Sequence, residues 1–172
     1  IKTPERKLID NLDGLPFPDR SLLNIAKNGF MHMFTSRGCR YRCVFCANSR
    51  FWKQIRFFSA EYVLEELKEI TIKFSPKAVT FYDDDFLLNR DRLKKLALLI
   101  KREGLDKKTE FNLMARADSI DKECVSILKD INVTVVSLGL ESGCQKTLDF
   151  LKSGKSTVNR NLSAIELLDK AG

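Results

Sequence analysis

Four short apolar runs, each followed by a stretch of helical periodicity, constrain the fold of this 172-residue chain more than any other feature. The runs are rich in aromatic and β-branched residues, as strands are. They cover residues 31–35, 78–82, 110–114 and 133–139. Alternation of this kind predicts an α/β fold with a parallel sheet, right-handed crossovers and helices that cover the sheet.

The stretches between the runs have helical stripes with recognisable first and last residues. Ser59 and Thr157 are placed to cap helices, and Gly104 and Gly172 to end them. Short helices are also expected around Val125 and Leu128 and over residues 145–152. The stripes that we expect to face the sheet are Val63, Leu67, Ile70 and Phe74; Leu93, Leu96, Ala97 and Ile100; and Leu162, Ile165 and Leu168 in a helix over 158–171.

Four strand–helix units are too few to close a barrel. An eight-stranded barrel needs about 250 residues, or roughly 31 per unit, and residues 30–172 supply four units. Because an uncovered edge strand is a liability, we interpret the chain as part of a barrel rather than as a small open sheet. Residues 1–29 hold three of the four prolines and are interpreted as a linker from an upstream domain.

Three cysteines follow the first strand in one short loop. Cys39, Cys43 and Cys46 have the spacing C-x3-C-x2-C, which allows three thiolates to hold three irons of a 4Fe–4S cube and leaves the fourth iron open. Thiolates select iron–sulfur clusters, zinc or Cu(I), whereas structural zinc normally has four protein ligands. The loop over 36–59 is far longer than the roughly 2–6 residues usual for such a connection, so we expect it to wrap a cluster.

The cysteine count and the net charge limit which other classes of protein and partner the sequence supports. Five cysteines, three of them crowded together, indicate reduced thiolates in a cytoplasm rather than a disulfide framework. Cys124 and Cys144 are interpreted as packing residues. The net charge of +7 is interpreted as a solvated basic surface, so nucleic acid is not favoured as a partner. No apolar run reaches the roughly 18–20 residues that span a bilayer, so no membrane partner is expected.

Side chains capable of chemistry follow all four predicted strands. In parallel α/β folds, active sites form at the carboxyl ends of the strands. We therefore expect these groups to converge on one polar mouth. They are the three cysteines after the first strand; Asp83, Asp84 and Asp85 after the second; Asn112, Arg116 and Asp118 on and after the third; and Ser137, Glu141 and Ser142 on and after the fourth.

The run Cys39-x3-Cys43-x-Phe45-Cys46 resembles the signature of the radical S-adenosylmethionine (radical SAM) superfamily. The runs FYDDDF, ARAD and SLGLESGCQKTLDFLKSGKST resemble its branch with Elp3-like cores, which includes cobalamin-dependent enzymes and methylthiotransferases. The resemblance implies that residues 30–172 are the N-terminal two-thirds of a six-stranded, TIM-like barrel. The run GLPFPDRSLL resembles the segment that joins such a core to an upstream cobalamin-binding domain.

The same resemblance implies which residues bind the cluster and which bind SAM. Cys39, Cys43 and Cys46 would hold the cluster, and SAM on the open iron would be cleaved to methionine and a 5′-deoxyadenosyl radical after receiving one electron from a reductant. No side chain is assigned a catalytic role beyond binding these groups. The implied contacts to SAM are Phe45 with adenine, one of Asp83, Asp84 and Asp85 with the ammonium, Arg116 with the carboxylate, and Ser137 and Glu141 with the ribose hydroxyls or the ammonium.

Several functions remain open at this point. The favoured one is a radical SAM core, with a cobalamin-dependent methyltransferase or a methylthiotransferase of tRNA or protein as subclasses and no identified substrate. Any cobalamin would be bound outside this chain, because no D-x-H-x-x-G run is present. The alternatives are an electron-transfer module, whose fourth ligand would be Cys124 or Cys144, and a zinc-stabilised nucleic-acid-binding module. As part of a barrel, the chain alone is expected to have little turnover.

Overall fold

Four parallel strands form the central sheet of the protein, in the spatial order Phe30–Met33, Ala78–Phe81, Glu110–Ala115 and Val133–Leu138. The computed structural model describes residues 3, 4, 6–23 and 29–172. A separate antiparallel ribbon of Ser36–Arg37 and Arg56–Phe57 lies within residues 36–59, which we call the cysteine loop. The strands are β1 (Phe30–Met33), β2 (Ser36–Arg37), β3 (Arg56–Phe57), β4 (Ala78–Phe81), β5 (Glu110–Ala115) and β6 (Val133–Leu138). The predicted parallel sheet is thus confirmed, with strand ends shifted by one or two residues.

Helices connect the strands at the predicted places. Ser59 caps the helix Ala60–Phe74 by accepting a hydrogen bond from the Tyr62 amide. Thr157 caps the helix Val158–Asp169 by accepting one from the Arg160 amide. Gly104, just after α3, has the left-handed conformation expected of a glycine that ends a helix. The helices are α1 (Asn48–Phe51), α2 (Ala60–Phe74), α3 (Arg90–Arg102), α4 (Lys122–Asp130), α5 (Gln145–Lys152) and α6 (Val158–Asp169).

The hydrophobic core lies between one face of the sheet and helices α2, α3 and α4. Alternate strand residues enter it because successive side chains of a strand point to opposite faces. In β1, for example, Met31 and Met33 are buried, whereas Phe30 is 59% exposed on the other face. Among the described residues, α2, α3 and α4 thus cover one side of the sheet, as in one wall of a barrel. The stacked aromatic rings Phe81, Phe86 and Phe111 form the centre of this core.

The buried face of helix α6 differs from the face that its apolar residues predict. Leu162 and Ile165 are exposed and Leu168 is only half-buried, whereas Asn161 and Ala164 are buried. The small side chain of Ala164 lets the helix approach α4 and the turn after β5 closely, and Asn161 donates a hydrogen bond to the loop after β6. A polar contact and close packing thus determine which face of this helix is buried.

The segment before β1 packs against α2. Arg20 is buried and pairs with Glu66 of α2, and it also donates to the carbonyl of His32 in β1. The ring of Phe17 meets Tyr62 edge-on at 4.8 Å. Residues 1, 2, 5 and 24–28 of the predicted linker lie outside the described residues. No helix among the described residues is long and apolar enough to cross a membrane.

Candidate functional site

The carboxyl ends of the four parallel strands open into one cavity of about 310 Å³. Residues of the cysteine loop form one side of it, and residues of β5, β6 and the segments after the strands form the other. The wall includes all three predicted metal ligands, Cys39, Cys43 and Cys46, together with Tyr41, Phe45, Asp84, Arg116, Ser137, Glu141 and Lys152. The convergence expected from topology is present for these predicted residues, whereas Asp83, Asp85, Asn112, Asp118 and Ser142 do not line the cavity.

The cysteine loop is fastened to the rest of the protein at its centre. The amide of Val44 donates to the carbonyl of Leu151 at 3.1 Å, and the hydroxyl of Ser153 donates to the carbonyl of Arg42 at 2.9 Å. Both bonds join the loop to the C-terminal end of α5. The short antiparallel pairing of Ser36 with Phe57 closes the loop at its base. These contacts bring the cysteines, which follow β1, against residues that follow β6.

Gly38 is required at the entrance to the cysteine loop. Its φ of +92° lies in the left-handed region, which side chains with a Cβ rarely adopt. A Cβ atom there would also lie 2.8 Å from the carbonyl oxygen of Gln54 and 3.0 Å from the Cβ of Trp52. The glycine therefore allows the two ends of the loop to approach each other directly before Cys39.

The three thiols suit an iron–sulfur cluster by their donor type and their shared cavity. All three are half-buried thiols that take part in no disulfide among the described residues. Burial raises the pKa of the Cys39 thiol, and the nearby carboxylates of Asp84 and Asp85 raise it further. A bound metal has the opposite effect, because it stabilises the thiolate. Among the described residues, no three His, Cys, Asp or Glu side chains are close enough to hold a single metal ion.

Arg116 joins the end of β5 to the cysteine loop. Its guanidinium donates to both carboxylate oxygens of Asp118 at 2.9 Å and to the hydroxyl of Ser156 at 2.6 Å. It also lies 3.6 Å from the sulfur of Cys43 and 3.8 Å above the ring centre of Tyr41. Four of its five N–H groups therefore have protein acceptors. This buried cation connects three segments and places positive charge beside a predicted cluster ligand.

The three aspartates after β4 face different surroundings. Asp83 is buried, and it accepts hydrogen bonds from the amide and hydroxyl of Thr35 and from the hydroxyl of Ser36. Burial raises the pKa of Asp83, although these bonds and the Arg92 guanidinium oppose the shift. Asp83 thus holds the first residues of the cysteine loop. It does not line the cavity.

Asp84 and Asp85 have different surroundings. Asp84 lines the cavity and accepts a 2.6 Å hydrogen bond from the side-chain amide of Asn48, just beyond the third cysteine. Asp85 is buried; it accepts from the Leu87 amide and from the hydroxyl of Ser119. Of the triplet, Asp84 is the aspartate whose carboxylate is available to a group in the cavity.

The buried position of Asp85 predicts a pH-dependent stability. Burial raises the pKa of Asp85 from 3.8 to about 6, so the folded chain binds this proton more tightly than the unfolded chain does. The free energy of unfolding should therefore fall as the pH rises from about 4 to 6, by about 2–3 kcal/mol. In Asp85→Asn this fall should disappear, because the amide keeps the shape of the group without a buried charge.

Urea unfolding at a series of pH values measures this effect. Asp130→Asn, the same change on the exposed surface of α4, serves as the matched control and should follow the parent curve. If the Asp85→Asn curve also follows the parent curve between pH 4 and 6, the assignment of this titration to Asp85 is wrong.

Glu141 and Lys152 form an ion pair in the cavity wall. Their charged atoms are 3.0 Å apart, and the lysine side chain is only 5% exposed. A Cβ on Gly139 would lie 2.9 Å from the Glu141 carboxylate and 3.2 Å from the Lys152 ammonium, so the glycine makes room for this pair. Glu141 has a φ of +65°, an uncommon conformation for a residue other than glycine. The ammonium of Lys152 also lies 5.8 Å from the ring centre of Phe45.

Sequence reasoning missed two residues of this wall, Tyr41 and Lys152. Tyr41 lies between two of the predicted metal ligands, and this position was a signal that could have found it. Lys152 gave no such signal, because α5 and the loop at residues 42–44 meet only in the folded chain. The prediction that Cys144 packs in the interior is wrong, because it is exposed at the start of α5; Cys124 is buried as predicted.

Comparison with known proteins identifies a family. The model of the radical SAM superfamily matches residues 33–172. An uncharacterised methyltransferase of Pyrococcus horikoshii is 34% identical over 175 residues, which cover 98% of this chain and 38% of that protein. A protein of Methanocaldococcus jannaschii named as a methylthiotransferase is 30% identical over 153 residues, covering 83% of this chain and 33% of that protein.

Solved structures show the same fold. The radical SAM methyltransferase TsrM of Kitasatospora setae has been solved with tryptophan and a SAM analogue, and also with cobalamin and a 4Fe–4S cluster. The first of these superimposes with a TM-score of 0.73 at 18% identity, over 85% of this chain and 29% of that one. The predicted partial TIM-like barrel is thereby confirmed. The chain spans between 29% and 38% of the length of these relatives.

Proposed function

Because this chain belongs to the radical SAM superfamily, we propose that it is the cluster-binding part of an enzyme that cleaves SAM reductively. The observation that carries the proposal is one cavity lined by Cys39, Cys43 and Cys46 together with charged residues of the other strand ends. When bound, a 4Fe–4S cluster with three thiolate ligands supplies the electron that converts SAM to methionine and a 5′-deoxyadenosyl radical. The chain binds and orients these groups.

We assign the amino-acid end of SAM to the charged wall. The carboxylate of Asp84 or Glu141 suits its ammonium, and the ammonium of Lys152 suits its carboxylate. Lys152 replaces Arg116 in this role, because the guanidinium of Arg116 is already held by Asp118, Ser156 and the sulfur of Cys43.

The nucleoside end of SAM is assigned to the uncharged part of the wall. Phe45 offers an aromatic face to adenine, and Ser137 offers a hydroxyl to the ribose. Both side chains line the cavity and are exposed in the absence of a ligand, so they are accessible to one.

Methyl transfer is the subclass that we favour for the whole protein. Its support is the Pyrococcus relative, which is named as a methyltransferase and aligns with 98% of this chain. Cobalamin bound outside residues 1–172 is the proposed methyl carrier, by analogy with TsrM. A one-electron reductant is required, and a reducing cytoplasm suits thiols that form no disulfide. Methylthiolation is the second candidate, supported by the name of the Methanocaldococcus relative.

An electron-transfer module is less well supported. It would require a fourth thiolate, and the two other cysteines do not line the cavity. Cys124 is buried in α4, and Cys144 is exposed at the start of α5.

Binding of SAM to the reconstituted chain tests the proposed function. After anaerobic reconstitution and reduction, adding SAM should change the EPR spectrum of the cluster, and Lys152→Met should weaken the SAM dependence of this change about tenfold. Lys155→Met, an exposed neighbour on the same segment, is the matched control and should behave as the parent does. A spectrum that SAM leaves unchanged would contradict the proposal, and so would equal effects of the two substitutions.

A further inference from the structure

Almost all of the net charge of the chain lies in the cysteine loop. Residues 36–59 contain six basic residues and no acidic residue. They leave 24 basic and 23 acidic side chains for the other 148 residues, so the rest of the chain is close to neutral. The six are Arg37, Arg40, Arg42, Arg50, Lys53 and Arg56.

The loop has a cavity face and an outer face. Through its cysteine segment, odd-numbered residues such as Cys39, Tyr41 and Cys43 line the cavity. The residues between them, Arg40 and Arg42, are exposed and do not line it. This segment thus has its metal ligands in the cavity wall and the side chains of Arg40 and Arg42 exposed to solvent.

The outer face continues beyond the third cysteine. Helix α1 starts two residues after Cys46, and its last turn carries Arg50, which is exposed, as is Lys53. Two apolar side chains lie among these cations: Val44 is 40% exposed and Phe51 is 72% exposed. We call the exposed residues 40, 42, 44, 50, 51 and 53 the basic face.

We propose that the basic face is the docking surface for an acidic one-electron carrier protein. This inference rests on the proposed function, in which the cluster must receive one electron that the carrier loses. In that function SAM would occupy the cavity face, which leaves the outer face of the same loop as an approach for a donor to the metal ligands. Complementary charge steers such encounters and raises their rate, and weak redox complexes have small interfaces.

A protein fits this surface better than a nucleic acid does. Arginines and apolar side chains together are the composition enriched in protein–protein interfaces. The location also matters, because only the electron donor has a chemical reason to approach the outer side of the metal ligands. RNA remains the other polyanion that the same cations could attract, and the experiment separates the two.

Binding of flavodoxin, an acidic flavin-containing carrier protein, tests the surface. Calorimetry at low salt should detect a complex whose affinity falls as the salt concentration rises, because exposed charges are screened. Arg42→Glu combined with Arg50→Glu should weaken it by at least about tenfold. Lys107→Glu combined with Lys108→Glu makes the same change of net charge on exposed lysines before β5, at the opposite edge of the sheet, and should change the affinity less than about twofold.

A second measurement separates this inference from the proposed function. Photoreduced deazariboflavin is a small reductant that needs no docking surface, so it should reduce the reconstituted parent and both double variants at equal rates. Flavodoxin should reduce only the Arg42→Glu, Arg50→Glu variant more slowly. A cluster that deazariboflavin cannot reduce would count against the proposed function rather than against the docking surface.

Two results would overturn the docking proposal itself. One is equal flavodoxin affinity in both double variants. The other is a single-stranded RNA that binds in a salt-dependent way and loses affinity in Arg42→Glu, Arg50→Glu while flavodoxin binding is unaffected. Arg50→Glu alone, measured in parallel, keeps the test decisive if the double variant does not fold.

Discussion

Replacing Cys39, Cys43 or Cys46 with alanine, one at a time, should lower the iron bound after anaerobic reconstitution from about four atoms per chain to less than about one. Each thiolate holds a different iron of the proposed cube, so the loss of any one opens a second iron and destabilises the cluster. The three sulfurs line one cavity, which makes the three losses equivalent. Iron analysis and the visible absorption of the cluster measure the result.

The matched control is the chain with both other cysteines replaced, Cys124→Ala and Cys144→Ala. Because neither side chain lines the cavity, this variant should bind as much iron as the parent chain. A loss of iron in the control would favour a cluster with four protein thiolates, and with it the electron-transfer function. Full occupancy in any of the three single variants would instead contradict the assignment of the ligands.

Arg116→Leu should lower the free energy of unfolding by about 3 kcal/mol, because it leaves the Asp118 carboxylate buried without its cation. The side chains of Arg116 and Asp118 are 7% and 9% exposed. The same substitution removes the contacts to Ser156, Tyr41 and Cys43, so we also expect weaker retention of the cysteine loop and faster loss of iron from the reconstituted chain.

Two further variants separate the loss of stability caused by an unpaired buried carboxylate from the loss caused by replacing an arginine side chain with leucine. In Arg116→Leu combined with Asp118→Leu, no charge is left unpaired, so much of the lost stability should return while the looser hold on the cluster remains. Arg90→Leu removes a more exposed arginine, paired with Asp121, and should cost less than about 1 kcal/mol. Equal stability losses in the single and double Arg116 variants would show that the buried carboxylate carries no penalty.

The arrangement of strands and helices could be predicted from the sequence because each signal is local. Alternation of apolar residues, a capping serine before α2 and a glycine after α3 act over a few residues, and each is present in the structure. Helix α6 was the exception. Its apolar stripe contains Leu162 and Ile165, but the small Ala164 and the hydrogen bond of Asn161 determine its buried face. These contacts join residues far apart in the chain.

The candidate site was predictable to the same degree. The three cysteines and the strand-end residues Asp84, Arg116, Ser137 and Glu141 were placed together by topology alone, since the ends of parallel strands share one edge of a sheet. The contacts that each of these residues makes in the folded protein could not be predicted.

The sequence by itself determined that thiolates, carboxylates and cations would meet at one end of a parallel sheet, because the spacing of the cysteines and the order of the strands are written along the chain. Only the tertiary structure decided what each group faces. It buries Asp83 and Asp85 and leaves Asp84 in the cavity wall, because Asp83 is bound by Thr35 and Ser36, and Asp85 by Leu87 and Ser119. It also brings Lys152 of α5 into the wall and engages Arg116 with its neighbours, because these contacts form only when distant segments pack against each other.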